Sequence, residues 1–156
     1  MEFTGKKVIV TGANGLVGLP TVRKCLEEGA DKVYAVDLKF SENLEFLQKQ
    51  YGHKKLLLVK TDLTYLSHCE DLFKLDDINI VLHIAGVKGS PARSSTCPAD
   101  YLFPMLMFNT NMIKSSFDAK VDWFVYLSSV GVYKPADVMN EEDTWNQEEK
   151  IGRAHV

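Results

Sequence analysis

The sequence predicts a doubly wound α/β domain built on a parallel sheet of about five strands. Two observations indicate this class: short, almost wholly apolar runs alternate with longer amphipathic segments, and short connections join them. Continuous Val/Ile/Leu runs are typical of parallel strands covered on both faces, and strand–helix alternation produces right-handed crossovers. The length of 156 residues suits one domain with a single hydrophobic core.

Each element follows from its own stretch of sequence. The apolar runs predict strands at residues 7–11, 32–36, 56–60, 80–84 and 123–127. The amphipathic segments between them predict helices at residues 16–28, 41–50, 64–74 and 99–119. Ser41 is a suitable N-cap for the second helix. Pro20 lacks a backbone donor and is expected to distort the first turns of the first helix.

The composition excludes several classes of partner. Lys and Arg together number 18 against 21 Asp and Glu, and these charges are scattered, which argues against a nucleic-acid or anionic-membrane surface. No run approaches the roughly 20 apolar residues of a membrane helix, and the N-terminus lacks the layout of a signal peptide. We therefore expect a cytoplasmic protein with no nucleic-acid or membrane partner. Cys25, Cys69 and Cys97 lack metal spacing, so neither a disulfide framework nor a metal site is expected.

A glycine-rich turn follows the first predicted strand. Residues 11–18 read TGANGLVG, with glycines at a spacing of three between a strand and a helix. Gly12 would permit the tight turn, Gly15 would let a pyrophosphate approach the backbone, and Gly18 would let helix and strand pack closely. The helix N-terminus would supply N–H groups to a phosphate. The alternative is a packing turn that binds nothing.

An acidic residue ends the second predicted strand at the spacing that a dinucleotide site requires. Asp37 lies 19 residues after Gly18, where its carboxylate can accept both ribose hydroxyls of the adenosine half of NAD and repel a 2′-phosphate. Lys39, two residues on, weakens that preference. Two other interpretations remain: a solvated carboxylate at a strand end, or a reductase that uses NADPH.

The motifs in combination resemble the extended short-chain dehydrogenases/reductases, specifically the sugar-nucleotide epimerase/dehydratase group. They are TGANGLVG at 11–18, Asp37, TDL at 61–63, HIAG at 83–86 and LSSVGVY at 127–133. The resemblance spans residues 6 to about 145. It implies a Rossmann-like sheet of order 3-2-1-4-5, NAD rather than NADP as cofactor, a nucleotide-sugar substrate and a homodimer as the assembly of the full-length protein.

The same resemblance implies roles for particular residues. Asp62 and Leu63 would meet the adenine ring, Ala85 and Gly86 would bring backbone against the nicotinamide-side ribose, and Lys88 resembles a lysine of some epimerases. With the turn and Asp37, the expected cofactor contacts are Gly12, Asn14, Gly15, Leu16, Val17, Gly18, Asp37, Asp62, Leu63, Ala85, Gly86 and Lys88.

The catalytic residue that the resemblance implies is Ser129, whose hydroxyl would orient the reacting hydroxyl of the sugar. A serine hydroxyl cannot readily take a proton near neutral pH, so a partner base is required. The family supplies a tyrosine in a Tyr-x-x-x-Lys motif. Beyond Ser129 the sequence has only Tyr133, which belongs to the serine motif, and Asp137 stands four residues later instead of lysine.

The end of the sequence suggests a reason for the missing motif. Residues 151–156, IGRAHV, resemble one reading frame of a widely used DNA-sequencing adapter. We therefore expect residues 1–150 to form an incomplete NAD(P)-binding domain and residues 151–156 to be a non-native tail. The parent would be an NAD-dependent epimerase, dehydratase or reductase acting on a nucleotide sugar, with this fragment inactive. The alternative is a non-catalytic NAD(P)-binding regulatory or scaffold protein.

Overall fold

Five parallel strands form one sheet in a computed structural model that describes residues 2–128, 138 and 140–142. The strands are β1 (Lys7–Thr11), β2 (Lys32–Asp37), β3 (Leu56–Lys60), β4 (Ile80–His83) and β5 (Trp123–Tyr126). Their spatial order is β3-β2-β1-β4-β5, with β1 paired to both β2 and β4. The predicted fold class and strand order are therefore confirmed.

The crossovers contain five helices within the described residues. They are α1 (Gly18–Glu27), α2 (Glu42–Tyr51), α3 (Leu66–Leu72), α4 (Pro91–Thr96) and α5 (Pro98–Asp118). The short α4 was not predicted because its sequence is polar and has no apolar period. The Ser90 hydroxyl caps it by accepting a hydrogen bond from the backbone N–H of Arg93 at 3.3 Å. Among these helices, none has both the length and the apolar character needed to cross a membrane.

Two predicted details of the helix starts need correction. Pro20 lies in the first turn of α1, where a backbone N–H has no acceptor within the helix, so the helix continues without a break to Glu27. Ser41 does occupy the N-cap position of α2, with extended backbone angles. Its hydroxyl makes no capping hydrogen bond, so the backbone rather than the side chain begins this helix.

The hydrophobic core has one layer on each face of the sheet, because successive side chains of a strand point to opposite faces. Val8 and Val10 of β1 pack in a cluster with residues of α1 and α2. Ile9, between them, packs in a second cluster with residues of α3 and α5. The two clusters pack against the central strands from opposite faces of the sheet. This packing holds the carboxyl ends of β1, β2 and β4 in fixed relative positions.

The outer strands differ in how far they are covered. β4 is buried throughout. In β5, by contrast, Trp123, Val125 and Tyr126 are exposed. The covered part of the sheet therefore runs from β2 to β4, and the candidate site lies above it.

Candidate functional site

A cavity of about 980 Å³ lies at the carboxyl edge of the sheet, over the ends of the central strands. This is the edge where open α/β sheets bind ligands. Its walls come from the glycine-rich turn and the segments that follow β2, β3 and β4. The lining residues are Gly12, Gly15, Leu16, Val17, Gly18, Val36, Asp37, Leu38, Lys39, Thr61, Asp62, Leu63, Thr64, Ile84, Ala85, Gly86, Val87, Lys88, Pro104, Phe108 and Leu127.

The glycine-rich turn is packed too tightly for larger residues at two positions. Gly12 has a φ of +66°, and a Cβ there would lie 2.8 Å from the Cα of Ala85. A Cβ on Gly18 would lie 2.0 Å from the carbonyl oxygen of Gly12. The start of α1 thus rests directly on the turn, and the turn rests on the segment after β4.

The start of α1 presents free backbone donors to the cavity. Within the described part of the chain, the N–H groups of Leu16 and Val17 have no acceptor, and both residues line the cavity. By contrast, the N–H of Leu19, two residues after Val17 and within the helix, donates to the carbonyl of Gly15 at 3.1 Å. Free N–H groups at the positive end of a helix dipole attract anions. This wall therefore fits a phosphate group.

A carboxylate stands beside the glycine-rich turn, at the end of β2. Asp37 accepts hydrogen bonds from two backbone N–H groups, that of Asn14 at 2.9 Å and that of Leu38 at 2.7 Å. These bonds fix the plane of the carboxylate, and each oxygen keeps a lone pair for a further donor. A fixed carboxylate at this edge can accept from two neighbouring hydroxyls of a ligand. Lys39 also lines the cavity beside it.

The segment after β3 forms another wall, and hydrogen bonds within the segment and from α5 hold it in place. The Asp62 carboxylate accepts from the backbone N–H of Thr64 at 3.0 Å and from its hydroxyl at 2.7 Å. The Asn111 side chain, from α5, donates to the carbonyls of Leu63 and Thr64 at 3.1 and 3.0 Å. This wall is therefore held in place by α5.

His83 fastens the end of β4 to β1. Its Nδ1 lies 2.7 Å from the Thr11 hydroxyl and its Nε2 lies 2.9 Å from Oδ1 of Asn109. The Thr11 oxygen already accepts from the N–H groups of Ile84 and Ala85, so the hydroxyl donates to Nδ1 and the ring carries its proton on Nε2. Burial lowers the pKa of His83, which keeps the ring neutral. His83 is therefore a buried, hydrogen-bonded structural histidine.

The structure brings eleven of the twelve expected cofactor residues together along this cavity. The exception is Asn14, which does not line it and bonds instead to the segment after β2. Ser129, the expected catalytic residue, lies outside the described residues. Whether the eleven residues contact a cofactor stays a prediction. The sequence analysis missed Pro104 and Phe108 of α5, which also line the cavity.

The cavity combines free N–H groups, a fixed carboxylate and backbone close to the ligand space, so its residues fit an anionic ligand that carries a diol. Among the described residues, no cluster of His, Cys, Asp or Glu could hold a metal ion.

The family defined as "NAD dependent epimerase/dehydratase family" matches residues 8–153. That match covers most of the sequence and agrees with the motifs identified above.

Curated relatives include nucleotide-sugar enzymes of two kinds. A UDP-glucose 4-epimerase from Schizosaccharomyces pombe is 31% identical over 128 residues, which is 81% of this chain and 36% of the relative. GDP-L-fucose synthase 1 from Arabidopsis thaliana is 29% identical over 133 residues, covering 85% of this chain and 35% of the relative. The chain therefore spans about a third of the length of these relatives.

Solved structures share the fold. The UDP-Glc/GlcNAc 4-epimerase from Campylobacter jejuni matches 86% of this chain with a TM-score of 0.75 at 21% identity, over 40% of its own length. The UDP-glucose 4-epimerase from Bifidobacterium longum, solved in complex with NAD+ and UDP, matches 82% of this chain with a TM-score of 0.72 at 26% identity, over 38% of its own length.

Proposed function

The chain belongs to the NAD dependent epimerase/dehydratase family, and from that premise we propose that its cavity binds NAD and that the whole protein acts on a nucleotide sugar. One observation carries the first part of this proposal. The free N–H groups of Leu16 and Val17 and the fixed carboxylate of Asp37 line the same cavity. A pyrophosphate and the adenosine ribose of a dinucleotide need these two groups in one site.

The NAD dependence of the family agrees with the cofactor that the sequence predicts. We propose that Asp37 gives this chain its preference for NAD over NADP. Its carboxylate would accept the two ribose hydroxyls and repel a phosphate at the 2′ position. Lys39 is exposed on the same wall, and its charge offsets part of that repulsion.

The proposed division of work follows from where the residues lie. The chemistry that NAD would supply at this site is hydride transfer to or from a sugar carbon. The turn and Asp37 would hold the adenosine half, while Ala85 and Gly86 would set the backbone that faces the other ribose. Ser129 would orient the reacting hydroxyl. The printed residues beyond Ser129 contain no Tyr-x-x-x-Lys, so we propose that these 156 residues alone bind NAD without turnover.

The substrate class comes from the relatives rather than from the cavity. UDP-glucose 4-epimerases and GDP-L-fucose synthases both act on nucleotide sugars, as their names state. The shared part of these two substrates is a nucleoside diphosphate joined to a sugar. We propose that class for the whole protein and leave epimerase, dehydratase and reductase as the alternatives that its assay would separate.

The test of NAD binding is calorimetric titration of the chain with NAD and with NADP. We expect NAD to bind, and Asp37→Ala to weaken NAD by about 10- to 100-fold, because hydrogen bonds to a charged group contribute about 1.5–3 kcal/mol. Asp31→Ala is the matched control, since it removes the same charge beside the other end of β2, where Asp31 is exposed and outside the cavity. Absence of NAD binding, or equal effects of the two variants, would contradict the proposal. Stronger NADP binding than NAD binding would favour the NADPH-dependent reductase.

A second candidate is a non-catalytic NAD(P)-binding protein, because residues 130–156 contain no Tyr-x-x-x-Lys: Tyr133 belongs to the serine motif, and Asp137 rather than a lysine follows it four residues later. The whole protein separates the candidates. Conversion of a UDP- or GDP-sugar in the presence of NAD supports the enzyme. Binding of NAD without conversion of any nucleotide sugar supports the binding protein.

A further inference from the structure

Asn14 is the expected cofactor residue that the structure places outside the cavity wall. It lies half-buried in the middle of the glycine-rich turn, and Gly12 and Gly15 of the same turn line the cavity. Its side chain points to the segment between β2 and α2, where Oδ1 accepts a hydrogen bond from the backbone N–H of Ser41 at 2.8 Å. Its backbone N–H donates to Asp37 at 2.9 Å.

These bonds belong to a series that joins the turn to the end of β2. The backbone N–H of Ala13 donates to the carbonyl of Val36 at 3.2 Å, the N–H of Asn14 to the Asp37 carboxylate, and Ser41 to the Asn14 side chain. The first two bonds reach the strand end. Only the third reaches past Leu38 and Lys39 to the start of α2, and both of those residues line the cavity.

We propose that Asn14 is a positioning residue that fixes the distance between the phosphate-binding turn and the ribose-binding end of β2. This inference rests on the proposed function. A ligand with both a pyrophosphate and an adenosine ribose must meet both walls at once. When the walls are already at the right separation, binding does not have to order them, and the ligand binds more tightly. A ligand that contacts only one wall gains no affinity from the fixed separation of the two walls.

The decisive variant is Asn14→Leu, which keeps the size of the side chain and removes the acceptor. We expect it to weaken the binding of NAD and of ADP-ribose about fivefold, the usual worth of one neutral hydrogen bond. Adenosine and inorganic pyrophosphate, each measured alone, should bind within about twofold of the wild type. A merely structural role would reduce the folded fraction and so weaken all four ligands by the same factor, which would overturn the proposal.

A matched pair at Ser41 tests the same bond from its other end. Ser41→Ala and Ser41→Pro both remove the hydroxyl, which makes no cap bond, but only Ser41→Pro removes the N–H that donates to Asn14. The φ of −93° at this position has the sign that proline requires, about 28° from its usual −65°, so the strand-to-helix segment adjusts slightly to accept it. We expect Ser41→Pro to reproduce the fivefold loss and Ser41→Ala to bind as the wild type. The double variant Asn14→Leu/Ser41→Pro should be no weaker than either single variant.

Amide hydrogen exchange without ligand keeps this inference separate from the proposed function. In Asn14→Leu we expect faster exchange at Ser41 and in residues 13–15, with unchanged exchange in β3 and β4. If the wild type binds no NAD, the proposed function fails, and exchange still decides whether Asn14 holds the turn. Unchanged exchange at Ser41 and in the turn overturns the positioning role whatever the binding result.

Discussion

Gly12→Ala tests the close approach on which the cavity depends. The φ of +66° at Gly12 costs an alanine about 1–2 kcal/mol. The added Cβ would also lie 2.8 Å from the Cα and 2.9 Å from the nitrogen of Ala85, where ordinary contacts begin at 3.4 Å. Overfilling a packed site of this kind costs about 1–3 kcal/mol. The free energy of unfolding should therefore fall by about 2–5 kcal/mol in total.

Gly5→Ala is the matched control for this variant. Gly5 has a φ of +70°, almost the same as Gly12, but an added Cβ would meet nothing within 4 Å. It should therefore lose only the backbone part, about 1–2 kcal/mol. Urea unfolding followed by circular dichroism gives both values, provided that the slope with denaturant is unchanged. If the two variants agree within about 0.5 kcal/mol, the turn does not rest on Ala85 and the reasoning is refuted.

Three further predictions concern buried or paired polar groups. Because burial lowers the pKa of His83, the unfolded chain binds more protons than the folded chain below about pH 6.5. The urea midpoint of unfolding should therefore fall as the pH drops below that value. If the midpoint of His83→Gln fell just as steeply with pH, the prediction would be contradicted. Hydrogen bonds from Lys32 and Lys7 hold the pKa of Asp76 far below its usual 3.8, so its contribution is present above about pH 4 and lost as pH falls further. Asp76→Asn should lower the midpoint at neutral pH and flatten the acid limb, and an unchanged neutral midpoint would count against it. The Ser116 hydroxyl is buried without a partner in the described residues, so Ser116→Ala should raise the free energy of unfolding by up to about 1 kcal/mol. A lower melting temperature of this variant would instead show that the hydroxyl makes a hydrogen bond.

The strands could be predicted within one residue because they are local features of the sequence. Each is an apolar run long enough for one strand and ended by Gly, Asp or a polar residue, and parallel strands need no further signal. The cavity wall could be predicted for the same reason. The carboxyl ends of parallel strands meet at one edge, so motifs that follow β1, β2, β3 and β4 lie together without any knowledge of long-range contacts.

The parts that could not be predicted depend on distant residues. Pro104 and Phe108 reach the cavity because of where α5 crosses the sheet, which no spacing in α5 reveals. The Asp76 carboxylate accepts hydrogen bonds from Lys7, Lys32 and Tyr34, which come from β1 and β2 at the amino edge of the sheet. Asn14 shares its motif with Gly12 and Gly15, which line the cavity, but successive residues of a tight turn point in different directions.

The two edges of the sheet use their charges in opposite ways. At the amino edge, the Asp76 carboxylate accepts from two lysines and a tyrosine, and the Asp122 carboxylate pairs with Lys6. At the carboxyl edge, no residue that lines the cavity takes part in an ion pair within the described part of the chain. The two cavity-lining carboxylates accept backbone bonds instead, Asp37 from Asn14 and Leu38 and Asp62 from Thr64, which leaves each able to meet a ligand.

That separation is what a binding edge requires. An ion pair across the cavity would have to break before a ligand could enter. The free energy of breaking it would weaken the binding of the ligand. Free N–H groups and unpaired charges carry the opposite cost, because they are satisfied only by water until a ligand arrives. The fold can bear that cost at one edge since both core layers and the paired charges stabilise the rest of the sheet. The arrangement of the carboxyl edge is therefore evidence for a ligand site rather than for a packing turn.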